Sequence, residues 1–228
     1  MSEFTIYFAP GTCARVSMIA LEEIGASYEA RLVSFVKEDH RSDAYRRLNP
    51  KSKVPLLLID GAPLTETTAI LTYLDRRFPE AALFPPGRSL LEDARILADM
   101  AWCASGLHPL VTRMRLPQLF CAVPEGQASV QEMAARAMHA SFSLIEDRLS
   151  DRDWMLGSQW SALDAYFFWI WFRSTDGGFD ASPYPRFEDH AARMTERPST
   201  RRVLAREQEA LDQLERAGLT FNLRQLPT

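Results

Sequence analysis

The sequence predicts an α+β protein in which a small mixed domain is followed by an all-α helical bundle domain. Short apolar runs typical of strands occur only before residue 66, whereas helical periodicity without a strand signal continues from Leu90. Between these regions lies PEAALFPPGR, residues 79–88, which is rich in Pro and Ala as linkers often are. We therefore expect a first domain over residues 1–80, a linker over 81–88 and a second domain over 89–228.

The first domain opens with alternating strands and helices. A strand is expected from Phe4 to Phe8, and a helix from Cys13 to Ile24 that ends at Gly25, because glycine favours the left-handed conformation that closes a helix. A second strand is expected from Tyr28 to Val33, and residues 38–48 show helical spacing.

The rest of this domain is a hairpin and a helix. An apolar strand from Leu56 to Ile59 meets the tight-turn dipeptide Asp60-Gly61, and a strand from Pro63 to Thr65 returns antiparallel. The helix that follows is ended by Pro79. The complete order, β-α-β-α-β-β-α, is that of the thioredoxin-like fold.

The second domain is expected to contain only helices, over residues 90–120, 124–149, 161–174, 185–196 and 199–217. Ser161 and Asp164 form a Ser-x-x-Asp capping pair before AYFFWIWF, which is apolar on nearly all sides. We interpret this pair as the structural cap of a buried helix.

Composition narrows the class of protein. The chain has 228 residues, 46% hydrophobic and 25% charged, which is typical of a soluble globular protein. A net charge of −4 gives no reason to expect nucleic acid or a membrane as a partner. The start MSEFTIYFAPG does not have the pattern of a signal peptide. Three cysteines without paired spacing indicate a reducing, cytoplasmic location, and the four histidines show no metal-ligand spacing, so no metal is expected.

The segment from Leu48 to Pro79 carries a candidate ligand site. Proline at the start of the core strand fits if the Val54-Pro55 bond is cis, which the local sequence does not establish, and the Val54 backbone would then be open to pair with an extended peptide. Glu66 and Thr67 stand where a helix N-terminus offers N–H groups to a small carboxylate, and Glu66 is placed to hold an ammonium group.

This arrangement resembles the glutathione-binding half of the cytosolic glutathione transferases, and is most similar to the bacterial beta class. The resemblance implies that glutathione is the co-substrate, that Val54 and cis-Pro55 pair with its cysteinyl part, and that Glu66 and Thr67 hold its γ-glutamyl end. Lys53 and Phe35 are expected near the glycyl carboxylate.

Cys13 is the leading candidate for chemistry. A helix N-terminus stabilises a thiolate, so we expect its pKa to fall below the usual value of about 8.5. The resemblance implies that it contacts the glutathione sulfur and can form a mixed disulfide; a buried, inert packing role is the alternative. Thr12 and Tyr7 are rival hydroxyl activators, and His108 matches a beta-class histidine, although Pro109 is expected to kink its helix.

The implied function is conjugation of the glutathione thiolate to a small hydrophobic electrophile in an interdomain cleft. Ala9, Pro10 and Arg113 are expected to border the pocket for this second substrate, and the family implies a homodimer with a detoxifying role. Two alternatives stay open: a glutathione-dependent thiol-disulfide oxidoreductase using Cys13, and a non-catalytic ligand-binding homologue. The identity of the electrophile cannot be read from the sequence.

Overall fold

The structure is a computed structural model that describes residues 3–220. Within them the chain forms two compact units. One takes in the residues up to Pro86 and again those from Glu196 onward, and the other runs from Gly87 to Thr195.

The first unit contains the predicted mixed domain. Its four-stranded sheet has the order β2-β1-β3-β4, with β1 and β2 parallel and the other pairs antiparallel. The strands are β1 Phe4–Phe8, β2 Tyr28–Leu32, β3 Leu56–Ile59 and β4 Ala62–Thr65, and the helices are α1 Ala14–Glu23, α2 Asp43–Leu48 and α3 Thr67–Arg77. The predicted order β-α-β-α-β-β-α and the thioredoxin-like fold are thereby confirmed.

The turns follow the local sequence. Asp60 and Gly61 both adopt positive φ, 49° and 86°, as a two-residue hairpin between β3 and β4 requires. Gly25 has φ 68° just after α1, where a left-handed residue ends a helix without a Cβ clash. Residues 38–48 are only partly α-helical, because Asp39–Arg41 is a 3-10 turn and Ser42 caps α2 by accepting the Tyr45 N–H.

Two features of the first unit lie outside the predicted mixed domain. Leu83 and Phe84, in the segment expected to be a linker, are buried, and the Phe84 N–H donates to Asp75 at 3.2 Å. The last helix, α9 Pro198–Arg216, packs on α1. The domain boundaries at residues 80 and 89 stay a prediction; the contacts place α9 in the same compact unit as the sheet.

The second unit is helical throughout its described elements. It contains α4 Leu90–Ala101, α5 His108–Arg115, α6 Pro124–Arg148, α7 Ala162–Thr175 and α8 Pro185–Glu196. The sequence predicted one helical stretch over residues 90–120, but a π-helical segment, Trp102–Leu107, separates α4 from α5. Pro109 is the second residue of α5, where it needs no N–H partner, and the wide π turn just before it accommodates the irregularity.

The expected cap on α7 is present and buried. Asp164 accepts from the Ser161 N–H and hydroxyl, both at 2.8 Å, and from the Met155 N–H at 2.7 Å. Its other neighbour is His190, whose Nε2 lies 2.9 Å from Oδ1. Asp164 and His190 have no exposed surface, so this cluster joins α7, α8 and the preceding loop as a structural element. No helix within residues 3–220 is long and apolar enough to cross a membrane.

Candidate functional site

The Val54-Pro55 peptide bond is cis and leads directly into β3. The carbonyl just before it, that of Lys53, accepts hydrogen bonds from the Tyr45 hydroxyl and the Asn49 side chain, both at 2.7 Å. Among residues 3–220 the N–H of Val54 has no hydrogen-bond partner. Val54 therefore offers an extended peptide a backbone donor on a segment that α2 holds in place.

The start of α3 lies beside this segment. Glu66 precedes the helix with φ 73°, a left-handed value that is uncommon for a residue with a side chain, and Thr67 is the buried first residue. Glu66 forms an ion pair with Lys51, whose Nζ also donates to the Thr65 hydroxyl at 2.7 Å. The sequence reasoning missed Lys51; the only signal was its position in the KSK stretch before Val54.

Cys13 stands at the N-cap position of α1, without a capping hydrogen bond from its side chain, and is 8% exposed. Its thiol points at the carbonyl oxygen of Val54, with Sγ 3.7 Å away. Burial raises the pKa of Cys13 from 9.0 to about 11, and the Thr67 hydrogen bond, which lowers the pKa, is the smaller effect. The expected depression of this pKa was wrong, because loss of water around the sulfur outweighs the hydrogen bonds that favour the thiolate. At neutral pH Cys13 is therefore a thiol rather than a thiolate.

The two rival hydroxyls are engaged elsewhere. The Thr12 hydroxyl donates to the Ala9 carbonyl at 2.7 Å, and the Thr12 N–H donates to the same oxygen at 3.2 Å. The Tyr7 hydroxyl accepts from Arg31 at 2.9 Å, and its ring packs edge-on against Tyr45 with centroids 5.4 Å apart. Both hydroxyls therefore already have hydrogen-bond partners within the first unit, and which of the three residues activates glutathione stays a prediction.

The expected glycyl-end and loop residues also lie in the first unit. Phe35 packs on the core cluster of Val33, Tyr45 and Leu56, and its ring stands edge-on to His40 at 5.0 Å. The side chain of Lys53 is exposed. In the loop before α1, Ala9 is buried and Pro10 partly exposed. Their contacts with glutathione or a second substrate stay predictions.

The other two expected site residues, His108 and Arg113, belong to the second unit. His108 begins α5, and its ring centroid lies 4.4 Å from that of Trp169. The guanidinium of Arg113 lies 4.8 Å from the ring centroid of Phe120, and its only charged or aromatic contact within residues 3–220 is this ring. A pocket of about 540 Å³ is lined by Leu110, Arg113, Phe120, Ser129, Val130, Met133 and Ala134. A catalytic role for His108 stays a prediction.

Metal ligands were not expected from the sequence. In the described part of the chain, residues 3–220, no group of three or more His, Cys, Asp and Glu side chains is arranged to hold a metal ion.

Comparison with known proteins matches two segments of the chain to family models. The family model described as Glutathione S-transferase, N-terminal domain, matches residues 2–76, and that described as Glutathione S-transferase, C-terminal domain, matches residues 103–198. Glutathione S-transferase GstA of Escherichia coli O157:H7 is 26% identical over 89% of this chain and 98% of its own length. Maleylacetoacetate isomerase of Pseudomonas aeruginosa is 28% identical over 65% of this chain and 70% of its own.

Solved structures agree with the fold. A glutathione S-transferase from Xylella fastidiosa superposes with a TM-score of 0.84 at 25% identity, covering 90% of this chain and 98% of that one. A glutathione transferase homologue from Sulfitobacter, solved with bound glutathione, gives a TM-score of 0.79 at 26% identity over 96% of this chain and all of that one.

Proposed function

Because the chain belongs to the cytosolic glutathione transferase family and is a glutathione transferase enzyme, we propose that it joins the thiolate sulfur of glutathione to a small hydrophobic electrophile. One observation carries this proposal. Cys13, Val54 and Thr67 come from three separate segments, yet the Cys13 thiol points at the Val54 carbonyl, and the Thr67 side chain is close enough to lower the pKa of Cys13.

These three groups fit glutathione in one orientation. The cysteinyl backbone of glutathione pairs with Val54, whose N–H is available, as a short added strand. The γ-glutamyl carboxylate takes the N–H groups at the start of α3, beside Thr67, and its ammonium group takes the place of Lys51 at Glu66. The glutathione sulfur then lies next to Cys13.

The state of Cys13 decides how it acts in this proposal. With a pKa of about 11 the residue keeps its proton at neutral pH, so its S–H donates a hydrogen bond to the glutathione thiolate. That bond favours the ionised form of glutathione and lowers its pKa. The thiolate lone pair forms the new S–C bond, and the electrophile releases its leaving group or takes up a proton at the adjacent carbon.

The same property counts against the oxidoreductase alternative. Disulfide exchange needs a thiolate as the attacking group, and a buried thiol with a raised pKa supplies very little of it at neutral pH. Conjugation needs only a hydrogen-bond donor at the position of Cys13, because the glutathione sulfur is the nucleophile.

A second candidate reaction is glutathione-dependent cis–trans isomerisation of an unsaturated diacid. Among the similar proteins are one named maleylacetoacetate isomerase and one named maleylpyruvate isomerase, the latter 30% identical over 63% of this chain. The thiolate would add to the double bond, allow rotation and leave again. Arg113, without a carboxylate partner among residues 3–220 and beside an apolar pocket, supports an anionic substrate.

The proposal is tested by steady-state kinetics of the purified protein with glutathione and two substrates, an aryl chloride and a cis-unsaturated diacid. Wild type should conjugate the aryl chloride, and Cys13→Ala should retain a small part of this activity. Turnover of the diacid alone would establish the isomerase instead. No turnover of either substrate, with glutathione binding intact, would favour the ligand-binding homologue.

We also propose a cytoplasmic location. Cys13, Cys103 and Cys121 form no disulfide in the structure, which supports a reducing compartment.

A homodimer is proposed on a separate observation. Large apolar side chains on α4 and α6 are more than half exposed, and self-association would cover them. They are Leu90, Leu91, Leu97, Met133 and Leu144. Light scattering after size-exclusion chromatography gives the mass in solution and tests this directly.

A further inference from the structure

Glu207 on α9 binds the chain on both sides of Cys13. Its Oε1 accepts the Gly11 N–H at 3.1 Å, two residues before the cysteine. Its Oε2 accepts from Nε of Arg15 at 2.9 Å, and from Nη2 of the same side chain, two residues after it. Arg15 and Glu207 are each 3% exposed, so the link is made inside the first unit and away from water.

The loop between these two contacts has little freedom. Gly11 has φ 72°, and both donors of Thr12 close a turn onto the Ala9 carbonyl. Arg15 lies in the first turn of α1, just after the capping position of Cys13. One carboxylate therefore joins the loop before Cys13 to the first turn of α1.

We propose that Glu207 is a positioning residue for the glutathione sulfur, which it serves by holding Cys13 through Gly11 and Arg15. This rests on the proposed function, in which the Cys13 thiol donates a hydrogen bond to the glutathione thiolate. Such a bond weakens steeply as its distance and angle depart from the best geometry. Within residues 3–220 the hydrogen bonds of Glu207 go to Gly11 and Arg15 and not to Val54, Glu66 or Thr67, so we expect its effect to fall on the reaction rather than on binding.

The chain offers a matched control at the other end of the same pair of helices. Arg197, at the start of α9, binds Glu23 at the end of α1 through Nε and Nη2 at 3.0 and 2.8 Å. This pair also joins α1 to α9, but it lies at the opposite end of α1 from Cys13. Glu23→Gln therefore loosens the same helix packing without touching the loop.

The experiment compares Glu207→Gln, Arg15→Lys and Glu23→Gln with wild type in the full chain. Glu207→Gln should lower kcat for conjugation by about threefold to tenfold, because it acts only through Cys13 and cannot cost more than loss of the hydrogen bond that this thiol donates. Its KM for glutathione should change little. Arg15→Lys keeps the positive charge but loses the paired guanidinium donors, so it should also lower kcat. It replaces Glu207→Gln in the comparison if that variant does not fold. Glu23→Gln should lower the melting temperature and leave kcat unchanged.

A second readout needs no glutathione. The rate of Cys13 alkylation by iodoacetamide, measured by mass spectrometry with Cys103 and Cys121 as internal references, should rise several-fold in Glu207→Gln and stay at the wild-type value in Glu23→Gln. If kcat and alkylation in Glu207→Gln match those in Glu23→Gln, the inference is overturned. If wild type shows no conjugation while Glu207→Gln still speeds alkylation, the positioning of Cys13 stands and the proposed function fails.

Discussion

The thiol of Cys13 lies 3.7 Å from the carbonyl oxygen of Val54, although 41 residues separate the two in the chain. The contact joins the start of α1 to the segment before β3, the two places at which the sequence predicted glutathione chemistry. Burial at this contact raises the pKa of the Cys13 thiol, so Cys13 keeps its proton at neutral pH, and the first two predictions follow from this.

Cys13 should react slowly with iodoacetamide at neutral pH, and its rate should rise steadily until the pH approaches 11. The thiolate is the reacting form, and burial raises the pKa of Cys13 to about 11. Alkylation can be followed by peptide mass spectrometry across a pH series. Cys121, which is partly exposed, serves as the comparison thiol within the same chain. A rate for Cys13 that levels off below pH 8 would show that its thiolate is stabilised after all.

The stability of the folded chain should depend on Cys13 above pH 9. Between the usual pKa of 9.0 and the folded value of about 11 the unfolded chain has lost this proton and the folded chain has kept it. The free energy of unfolding therefore falls as pH rises, by about 1.4 kcal/mol per pH unit from this group. Urea denaturation at pH 8 and pH 10 should show wild type losing about 1 kcal/mol more than Cys13→Ser. Cys103 is present in both proteins, so its contribution cancels.

Glu66→Ala should weaken glutathione binding by about 1–3 kcal/mol, because a charged ligand group loses its partner. Titration calorimetry measures this directly. Glu29→Ala, which removes an exposed carboxylate paired with Arg31 in the same unit, is the control and should bind normally. Equal affinities of the Glu66 and Glu29 variants would remove Glu66 from the site.

Among the candidate activators, only Cys13 should matter strongly for conjugation. Thr12→Val loses a hydroxyl that bonds to Ala9, and Tyr7→Phe loses one that bonds to Arg31, so both should keep most of the wild-type kcat. Cys13→Ala should lower kcat at saturating glutathione by about tenfold, the size expected for one hydrogen bond to a charged group. A collapse of activity in either hydroxyl variant, with Cys13→Ala unaffected, would reverse the assignment.

Asp164→Ala should destabilise the protein by about 3–5 kcal/mol, because His190 and two N–H groups lose their buried acceptor. The chain contains a second capping box, Ser89 with Glu92 at the start of α4, which is exposed. Glu92→Ala should cost only about 1 kcal/mol. Chemical denaturation of both variants measures the difference, and the affinity for glutathione should be unchanged in each.

Local signals were enough for most of the fold. Asp60-Gly61 specified its turn because both residues tolerate positive φ, and Ser161 with Asp164 specified the start of α7 because a buried helix end needs acceptors. The sequence could group Val54, Glu66 and Thr67 because they lie within one hairpin and the helix after it, and their contacts with glutathione stay a prediction.

What the sequence did not reveal depends on distant parts of the chain. The pKa of Cys13 is set by how completely other elements cover it, which no local pattern shows. Glu207 lies in a polar stretch, REQEAL, that is typical of a solvated helix face, and Arg15 stands 192 residues earlier. The π-helical segment before His108 was also missed, because periodicity does not distinguish one extra residue in a turn from an ordinary helix.

The bond between Arg15 and Glu207 affects the order in which parts of the chain can fold during synthesis. A ribosome adds about 5–20 residues each second, so Glu207 is synthesised roughly 10–40 s after Arg15. For that interval the sheet and its first helices can assemble, but Arg15 lacks this carboxylate and the loop before Cys13 lacks its anchor on α9. The nascent chain can therefore form its β3–β4 hairpin well before the surroundings of Cys13 are complete, because these wait for the synthesis of α9.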